Sequence, residues 1–401
     1  MTKILMLVAD GMGDWALDDL GGKTPLQVAR TPSMDRLAAI SLVGTCQTIP
    51  HNMPPGSDIA NMALMGYDPA RYHTGRGPIE AAAQGLETDP HDLIWRCNLV
   101  SLSTLKASGK MLDYSAGHIP SEISRPLIES LQNKLGSKEF AFYPGIQYRH
   151  LLVHKNGSMT DAAKVNVRPP HDILDQEIDH DLNEFRSYLP LWELVQKSEK
   201  ILSKIKAESK ADSIWPWGQG LPLTLPSFRE KFGLEGAVIS AVDLIKGLGR
   251  ASGLMVMNVP GATGLLDTDY QGKVLAALSF LDEHDFVFVH LEGPDECGHM
   301  GAVQDKIEAI SRFDSLIVEP LIDHLQGQDF IMIICCDHLT PIKIRTHSRD
   351  PVPFLIYNSQ SLQNGPGSFC EKEAEATGLV LNHGHELLAF ALELENFSPK
   401  P

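Results

Sequence analysis

Residues 3–14 read KILMLVADGMGD. Six apolar residues in a row, Ile4–Ala9, stop abruptly at Asp10 and Gly11. A run of that length with no polar alternation fits a strand buried on both faces, as in parallel sheets. Three more such runs follow at Leu254–Val259, Phe286–Leu291 and Phe330–Cys336. Amphipathic stretches predict helices over Pro32–Ala39, Ile59–Met65, Val238–Leu248, Gly272–Leu281 and Lys306–Leu325. Strand and helix in alternation predict an α/β sandwich, a mostly parallel sheet with helices on both faces.

The middle of the chain breaks this pattern. From about Trp95 to Leu191 it reads as shorter strands and hairpins, with loops at Lys106–Lys110, Lys155–Ser158 and Arg168–Pro170. This predicts a smaller α/β domain inserted at 95–191, with 1–94 and 192–401 forming the larger domain. A Lys/Glu-rich helix over about Leu191–Ser209 leads back into the sheet, followed by a loop, WPWGQGLP.

A chain of 401 residues, 43% hydrophobic and 21% charged, is long enough for one large core and a second smaller one. The net charge of −17 opposes nucleic-acid backbones and anionic membranes as partners. A small anionic metabolite is still compatible, because bound cations and a few arginines can reverse the sign within one cleft. The six cysteines, at 46, 97, 297, 335, 336 and 370, form no CxxC pair, which points to a reducing compartment. The N-terminal apolar run is too short for a signal peptide, and no later run is long enough to cross a bilayer, so the expectation is a cytoplasmic enzyme.

In open parallel sheets, ligands bind beyond the carboxyl ends of the strands, so the residues that follow each run matter most. Ile4–Ala9 runs into Asp10; Phe286–Leu291 runs into EGPDECGHMG, with Asp295 and His299; Phe330–Cys336 runs into Asp337-His338, with His347 nine residues on. Taken singly, Asp10-Gly11 could be a turn, and Asp295 and His299 a helix cap and a surface histidine. Their concurrence gathers carboxylates and imidazoles at one edge of a sheet. That donor mixture suits Mn²⁺ or Zn²⁺ better than Ca²⁺, and two such ions could clamp the attacking and leaving oxygens of a phosphoryl transfer. A nucleophile candidate lies in NMPPGSDIANM, where a proline- and glycine-forced turn delivers Ser57 to the start of a helix. Ser57 could be an N-cap; the same position also offers backbone N–H groups to a phosphoryl group on the hydroxyl.

Taken together, DGMGD (10–14), LGGKTPLQVARTPSMDRLA (20–38), Gly56-Ser57-Asp58, GYDPARYHTGRGPIEA (66–81), RCN (96–98), PGATG (260–264), DECGH (295–299), Asp337-His338 with Thr340-Pro341, and HSRDPVP (347–353) resemble the alkaline phosphatase superfamily. The nearer resemblance is to the archaeal-type 2,3-bisphosphoglycerate-independent phosphoglycerate mutases, and it runs over nearly the whole chain. It implies an alkaline-phosphatase-like three-layer sandwich. It also implies two divalent ions, manganese first, with zinc or magnesium as alternatives. Asp295, His299 and His347 would hold one ion, and Asp10, Ser57, Asp337 and His338 the other. Ser57 would take the phosphoryl group of a small phosphorylated metabolite and return it to a different oxygen. The second domain would shield that phosphoenzyme from water.

The substrate side departs from the family pattern. Where family members carry DRRAGR, this chain has Asp113-Tyr114-Ser115-Ala116-Gly117-His118. Arg76, Arg96, Arg149 and His150 stand as anion-binding candidates, with Asp113 and His118 of the altered motif and, more weakly, Lys231. Guanidinium forks are not replaced conservatively, so two alternatives accompany the mutase reading: a homoserine kinase-like phosphotransferase and a phosphomonoesterase. There is no GxxxxGK[ST] phosphate loop.

Overall fold

The computed structural model describes residues 2–205 and 209–396. Among these residues the strands in chain order are β1 (Lys3–Ala9), β2 (Leu42–Cys46), β3 (Leu93–Leu102), β4 (Met111–Asp113), β5 (Phe140–Tyr143) and β6 (Arg149–His154). They continue with β7 (Ser213–Gly220), β8 (Gly236–Ile239), β9 (Met255–Met257), β10 (Phe286–Leu291), β11 (Phe330–Cys335), β12 (Val352–Asn358) and β13 (Val380–Leu381). The chain divides into two compact units, Met1–His73 with Leu225–Pro401, and Thr74–Thr224.

The first unit is mixed α/β. Its eight-stranded sheet has the order β13-β2-β12-β11-β1-β10-β8-β9. β1 lies between β10 and β11 and pairs in parallel with both, Ile4 opposite Phe286 and Ile331. β12 is antiparallel to β11 and to β2, so it runs against the rest of the sheet. The central strands hold together because they are apolar on both faces: β10 and β11 are buried at every residue, and β1 at every residue after Lys3. Burying each Leu, Ile, Val or Phe side chain contributes about 1.5–3 kcal/mol, so these three strands carry much of the driving force of the unit. Helices Asp243–Ala251, Tyr270–Leu281, Glu371–Ala376 and Leu387–Asn396 pack against the sheet.

The helices expected at Pro32–Ala39, Ile59–Met65 and Gly272–Leu281 form as Pro32–Ala38, Ser57–Leu64 and Tyr270–Leu281. The segment 306–325 lies in a longer helical stretch, Val303–Phe313 and Glu319–Leu325 joined by a widened π turn at Asp314–Val318. The expected helix Val238–Leu248 is corrected. Val238 and Ile239 belong to β8, which pairs in parallel with β10, and the helix begins only at Asp243. Only Ser240-Ala241-Val242 separates this four-residue buried strand from the amphipathic helix, too short an interval to mark the boundary. No helix among the described residues is long and apolar enough to cross a membrane.

The second unit is built on a five-stranded sheet, β4-β3-β6-β5 with β7 pairing the other edge of β3. β3 is buried along all ten residues and pairs antiparallel with both β6 and β7. This unit is wider at both ends than the expected 95–191. Helix Arg76–Gln84 packs on β3 and β7, which extends it forward. Its far end is the segment expected as a loop, WPWGQG, which is strand β7 and lies against Ile94–Val100. The helix expected over Leu191–Ser209 is Leu189–Leu202, with a short 3₁₀ turn to Ile205; residues 206–208 of that expectation lie outside the described residues.

Candidate metal centre

Three neighbouring strands, β1, β10 and β11, each lead within four residues to a ligand-type residue. Asp10 follows β1 directly, and its N–H donates to the Leu291 carbonyl at 2.9 Å. Gly11 then turns at φ 60°, and its N–H donates to Asp337 Oδ1 at 3.1 Å. A Cβ at Gly11 would lie 2.5 Å from Thr340 Oγ1 and 2.7 Å from Asp295 Oδ1, so only glycine lets the loop come this close. Beyond β10, helix Gly293–Met300 carries Asp295 in its first turn and His299 one turn later, on one face. Asp337 and His338 follow β11, and His347 arrives from the loop before β12. Ser57 opens helix Ser57–Leu64; Asn61, one turn on, donates from Nδ2 to the Ser57 carbonyl and to Asp337 Oδ2, at 3.0 and 2.8 Å.

These seven side chains meet in one continuous cluster. Ser57 Oγ lies 3.1 Å from His338 Nε2. The same nitrogen is 3.3 Å from Asp337 Oδ2 and 3.6 Å from Asp10 Oδ1. His338 stacks on His347 with ring centroids 3.9 Å apart. His347 Nε2 lies 3.4 Å from Asp295 Oδ1 and 3.0 Å from His299 Nε2, which is 3.2 Å from Asp295 Oδ2. Two sets have ligand atoms all within 4.8 Å of one another: Asp295, His338 and His347, and Asp10, Asp337 and His338. His338 is thus near both.

The chemistry of the donors fits divalent cations. Asp10, Asp295 and Asp337 are all buried, and three carboxylates sharing a buried pocket need positive charge among them. Burial, reinforced by Asp337 and Asp295, pushes the Asp10 carboxyl well above the usual carboxylate range, and its Oδ1 has no hydrogen-bond partner. His338 cannot offset these charges, because burial holds its ring down to about 4 and therefore neutral. His299 Nδ1 donates to the Arg345 carbonyl at 3.0 Å, which leaves Nε2 as the nitrogen facing Asp295 and His347. The hydrogen bond to Asp295, against burial, lifts His299 to about 9. A proton and a metal ion compete for that same lone pair.

Several buried polar residues behind this cluster were not singled out in the sequence. His290, at the end of β10, lies 3.3 Å from Asp10 Oδ2 and, on its other side, 3.2 Å from Glu292 Oε1. Lys273, fully buried, donates to Glu292 Oε2 at 2.9 Å and to the His290 carbonyl at 2.7 Å. Lys306, also fully buried, reaches Asp14 Oδ2 at 2.8 Å. Glu292 carries a sequence signal, because it opens the EGPDECGHMG stretch that holds Asp295. A buried lysine carries no such signal, because in sequence it looks like a solvated one.

The expected anion-binding residues are distributed differently. In the second unit, Arg96 is buried, 2.9 Å from Glu80 and 4.6 Å over the Trp217 ring. Burial, with Arg76 and Arg149 nearby, lowers its pKa against the pull of Glu80. Arg76 opens helix Arg76–Gln84, and the Arg149 guanidinium lies 5.7 Å over the Tyr148 ring. His118 stands at φ 52° with its ring 6.2 Å from Tyr114 and from Tyr148. Two further candidates have partners of their own. Asp113 organises its own loop, accepting from the Ser115 N–H and hydroxyl and from the Gly117 N–H at 2.6–2.7 Å. His150 is a core histidine: its Nδ1 accepts from the Gly145 N–H at 3.0 Å, and burial pushes its pKa down to about 3, so it brings no charge to an anion. Lys231, in the first unit, is exposed with its ammonium 5.7 Å from the Tyr67 ring and 5.2 Å from the Phe232 ring.

Comparison with known proteins agrees with this architecture. The family model described as the Metalloenzyme superfamily matches residues 2–393. The 2,3-bisphosphoglycerate-independent phosphoglycerate mutase of Methanosarcina barkeri is 44% identical over 402 residues, covering 98% of this chain and 99% of its own length. Among solved structures, a protein of Pyrococcus horikoshii aligns with a TM-score of 0.81 at 28% identity, covering 100% of this chain and 99% of its own. The cofactor-independent phosphoglycerate mutase of Thermoplasma acidophilum aligns with a TM-score of 0.65 at 25% identity, covering 98% of this chain and 100% of its own. The chain therefore belongs to the metalloenzyme superfamily and, within it, to the family of 2,3-bisphosphoglycerate-independent phosphoglycerate mutases.

Proposed function

We propose that the protein interconverts 2- and 3-phosphoglycerate without a bisphosphoglycerate cofactor, carrying the phosphoryl group on Ser57. The observation that supports this most is the 3.1 Å approach of Ser57 Oγ to His338 Nε2 inside a buried carboxylate and imidazole cluster. Gly56, not Ser57, is the N-cap of this helix, so capping does not account for the serine. Asp295, His299 and His347 would hold one divalent ion, and Asp10, Ser57, Asp337 and His338 the other; this mixed oxygen and nitrogen set suits manganese or zinc, and the family resemblance puts manganese first. Bound there, such ions supply charge stabilisation for the transferring group and a lowered pKa for the serine hydroxyl.

In the first half-reaction the Ser57 Oγ–P bond forms as the ester P–O bond of the substrate breaks. The Ser57 hydroxyl gives up its proton as Oγ bonds to phosphorus, and the departing glycerate oxygen takes one up, so protons balance over the half-reaction. In the second half the bonds change in reverse at the other glycerate hydroxyl. Arg76, Arg96 and Arg149 are proposed to bind the anionic groups of the metabolite, with Arg96 already partly neutralised by Glu80.

The test is to incubate the manganese-loaded protein with 3-phosphoglycerate and follow phosphorus NMR, with parallel samples containing ATP and homoserine. Appearance of 2-phosphoglycerate without nucleotide supports the mutase. ADP formed only with homoserine would replace it with a kinase, and net release of inorganic phosphate with a phosphomonoesterase.

A further inference from the structure

Thr340 lies two residues beyond His338 and is fully buried. Its hydroxyl touches one residue from each of the two ligand sets: Asp295 Oδ1 at 2.5 Å and His338 Nδ1 at 3.2 Å. A hydroxyl has a single proton. Asp295 Oδ1 is a carboxylate oxygen and accepts it, so the second contact requires His338 to donate from Nδ1–H to the hydroxyl lone pair. Nε2 is then the lone-pair nitrogen of His338, and it is the atom that faces Ser57 Oγ, Asp337 Oδ2 and Asp10 Oδ1.

The backbone gives this hydroxyl little freedom to move. The Thr340 N–H donates to the Gly13 carbonyl at 3.2 Å, and its own carbonyl accepts from Lys306 Nζ at 2.8 Å. Helix Gly293–Met300 approaches so closely that a Cβ at Gly298 would lie 2.7 Å from the Thr340 carbonyl oxygen. Thr340 is therefore pinned to the loop after β1, to a buried lysine and to the helix that carries Asp295.

We propose that Thr340 is a positioning residue for both cation groups, its one hydroxyl fixing the tautomer of His338 on one side and the orientation of Asp295 on the other. Residues that orient metal ligands in this way are worth roughly 10- to 100-fold in metal affinity. The inference rests on the two-cation reading above.

The experiment compares Mn²⁺ binding to metal-free wild type, Thr340→Val and Thr340→Ser by calorimetry, with circular dichroism and thermal melts of the metal-free proteins as folding controls. Valine keeps the shape and removes the hydroxyl; serine keeps the hydroxyl. The expected result is weaker binding by roughly 10- to 100-fold in Thr340→Val, with Thr340→Ser close to wild type. Wild-type affinity and stoichiometry in a folded Thr340→Val would overturn the positioning role and leave the metal centre standing. A wild type that binds no Mn²⁺ would overturn both.

If Thr340→Val does not fold, the wild type itself decides. Nitrogen-15 histidine NMR of the Zn²⁺-loaded protein, with His338 assigned by its absence from His338→Gln, is expected to show the proton on Nδ1. A proton on Nε2 would overturn the assignment.

Discussion

At the scale of single residues, the site depends on which atom each side chain presents. Ser57 presents a hydroxyl to a neutral imidazole, while three aspartates supply the negative charge. Since Ser57 is one donor among seven, Ser57→Ala is expected to keep most of the Mn²⁺ bound in calorimetry while losing phosphoryl transfer. Turnover near the wild-type rate in that variant would remove Ser57 from the mechanism. Asp10, Asp295, Asp337 and His338 were legible in the sequence because each sits at or just beyond the end of an apolar run. Thr340 was legible only as a member of the Asp337–Pro341 motif, without a role, and Asn61 and His290 were not. Their roles come from contacts across 45, 276 and 280 positions of chain, hydrogen bonds to Asp295 and Asp337 for Thr340 and Asn61 and a 3.3 Å approach to Asp10 for His290, which residue spacing does not encode.

At the scale of elements, two loops must be held in register for the strand ends to form one site. Lys306, from helix Val303–Phe313, donates to the Gly13 carbonyl, to Asp14 Oδ2 and to the Thr340 carbonyl, at 3.1, 2.8 and 2.8 Å. It joins the loop after β1 to the loop after β11. Lys306→Met strands Asp14 as a buried charge, and breaking a buried pair in this way costs about 3–5 kcal/mol. Urea denaturation is expected to show that loss, and a midpoint within error of wild type would contradict it. Gly11→Ala is expected to weaken Mn²⁺ binding without unfolding the sheet, because the added methyl drives into Thr340 and Asp295. Calorimetry reads the first effect and circular dichroism the second.

The same scale explains what the sequence hid about the fold. The long buried strands were legible from their apolar runs. β7 was not: its Trp-Pro-Trp-Gly composition suggests a loop, yet among the described residues β7 pairs with β3 alone, so Pro216 sits on an edge strand where a missing N–H is tolerated. β8 was absorbed into the helix that follows it, because only Ser240-Ala241-Val242 lies between them.

For the molecule as a whole, acid should act through histidines buried in the neutral form. His150 binds a proton near pH 6.5 when unfolded but only near 3 when folded. Between those values the unfolded state holds more protons, so stability falls as pH falls, by about 1.4 kcal/mol per pH unit for this one group. Urea midpoints measured from pH 7 to pH 4 are expected to decline, and His150→Gln, which keeps an acceptor for the Gly145 N–H, is expected to flatten part of that decline. An unchanged slope in the variant would show that His150 does not titrate on unfolding.

Five separate stretches of chain converge on one cluster around a single serine hydroxyl, and the account stands or falls on whether that hydroxyl carries phosphate. The direct test is rapid acid quenching of the manganese-loaded protein during turnover of 3-phosphoglycerate, followed by mass spectrometry of its peptides. The expected result is a phosphoryl group on Ser57, absent from Ser57→Ala and absent when the metal is chelated. Isomerisation at full rate with Ser57 unmodified, or with the phosphoryl group on another residue, would contradict it.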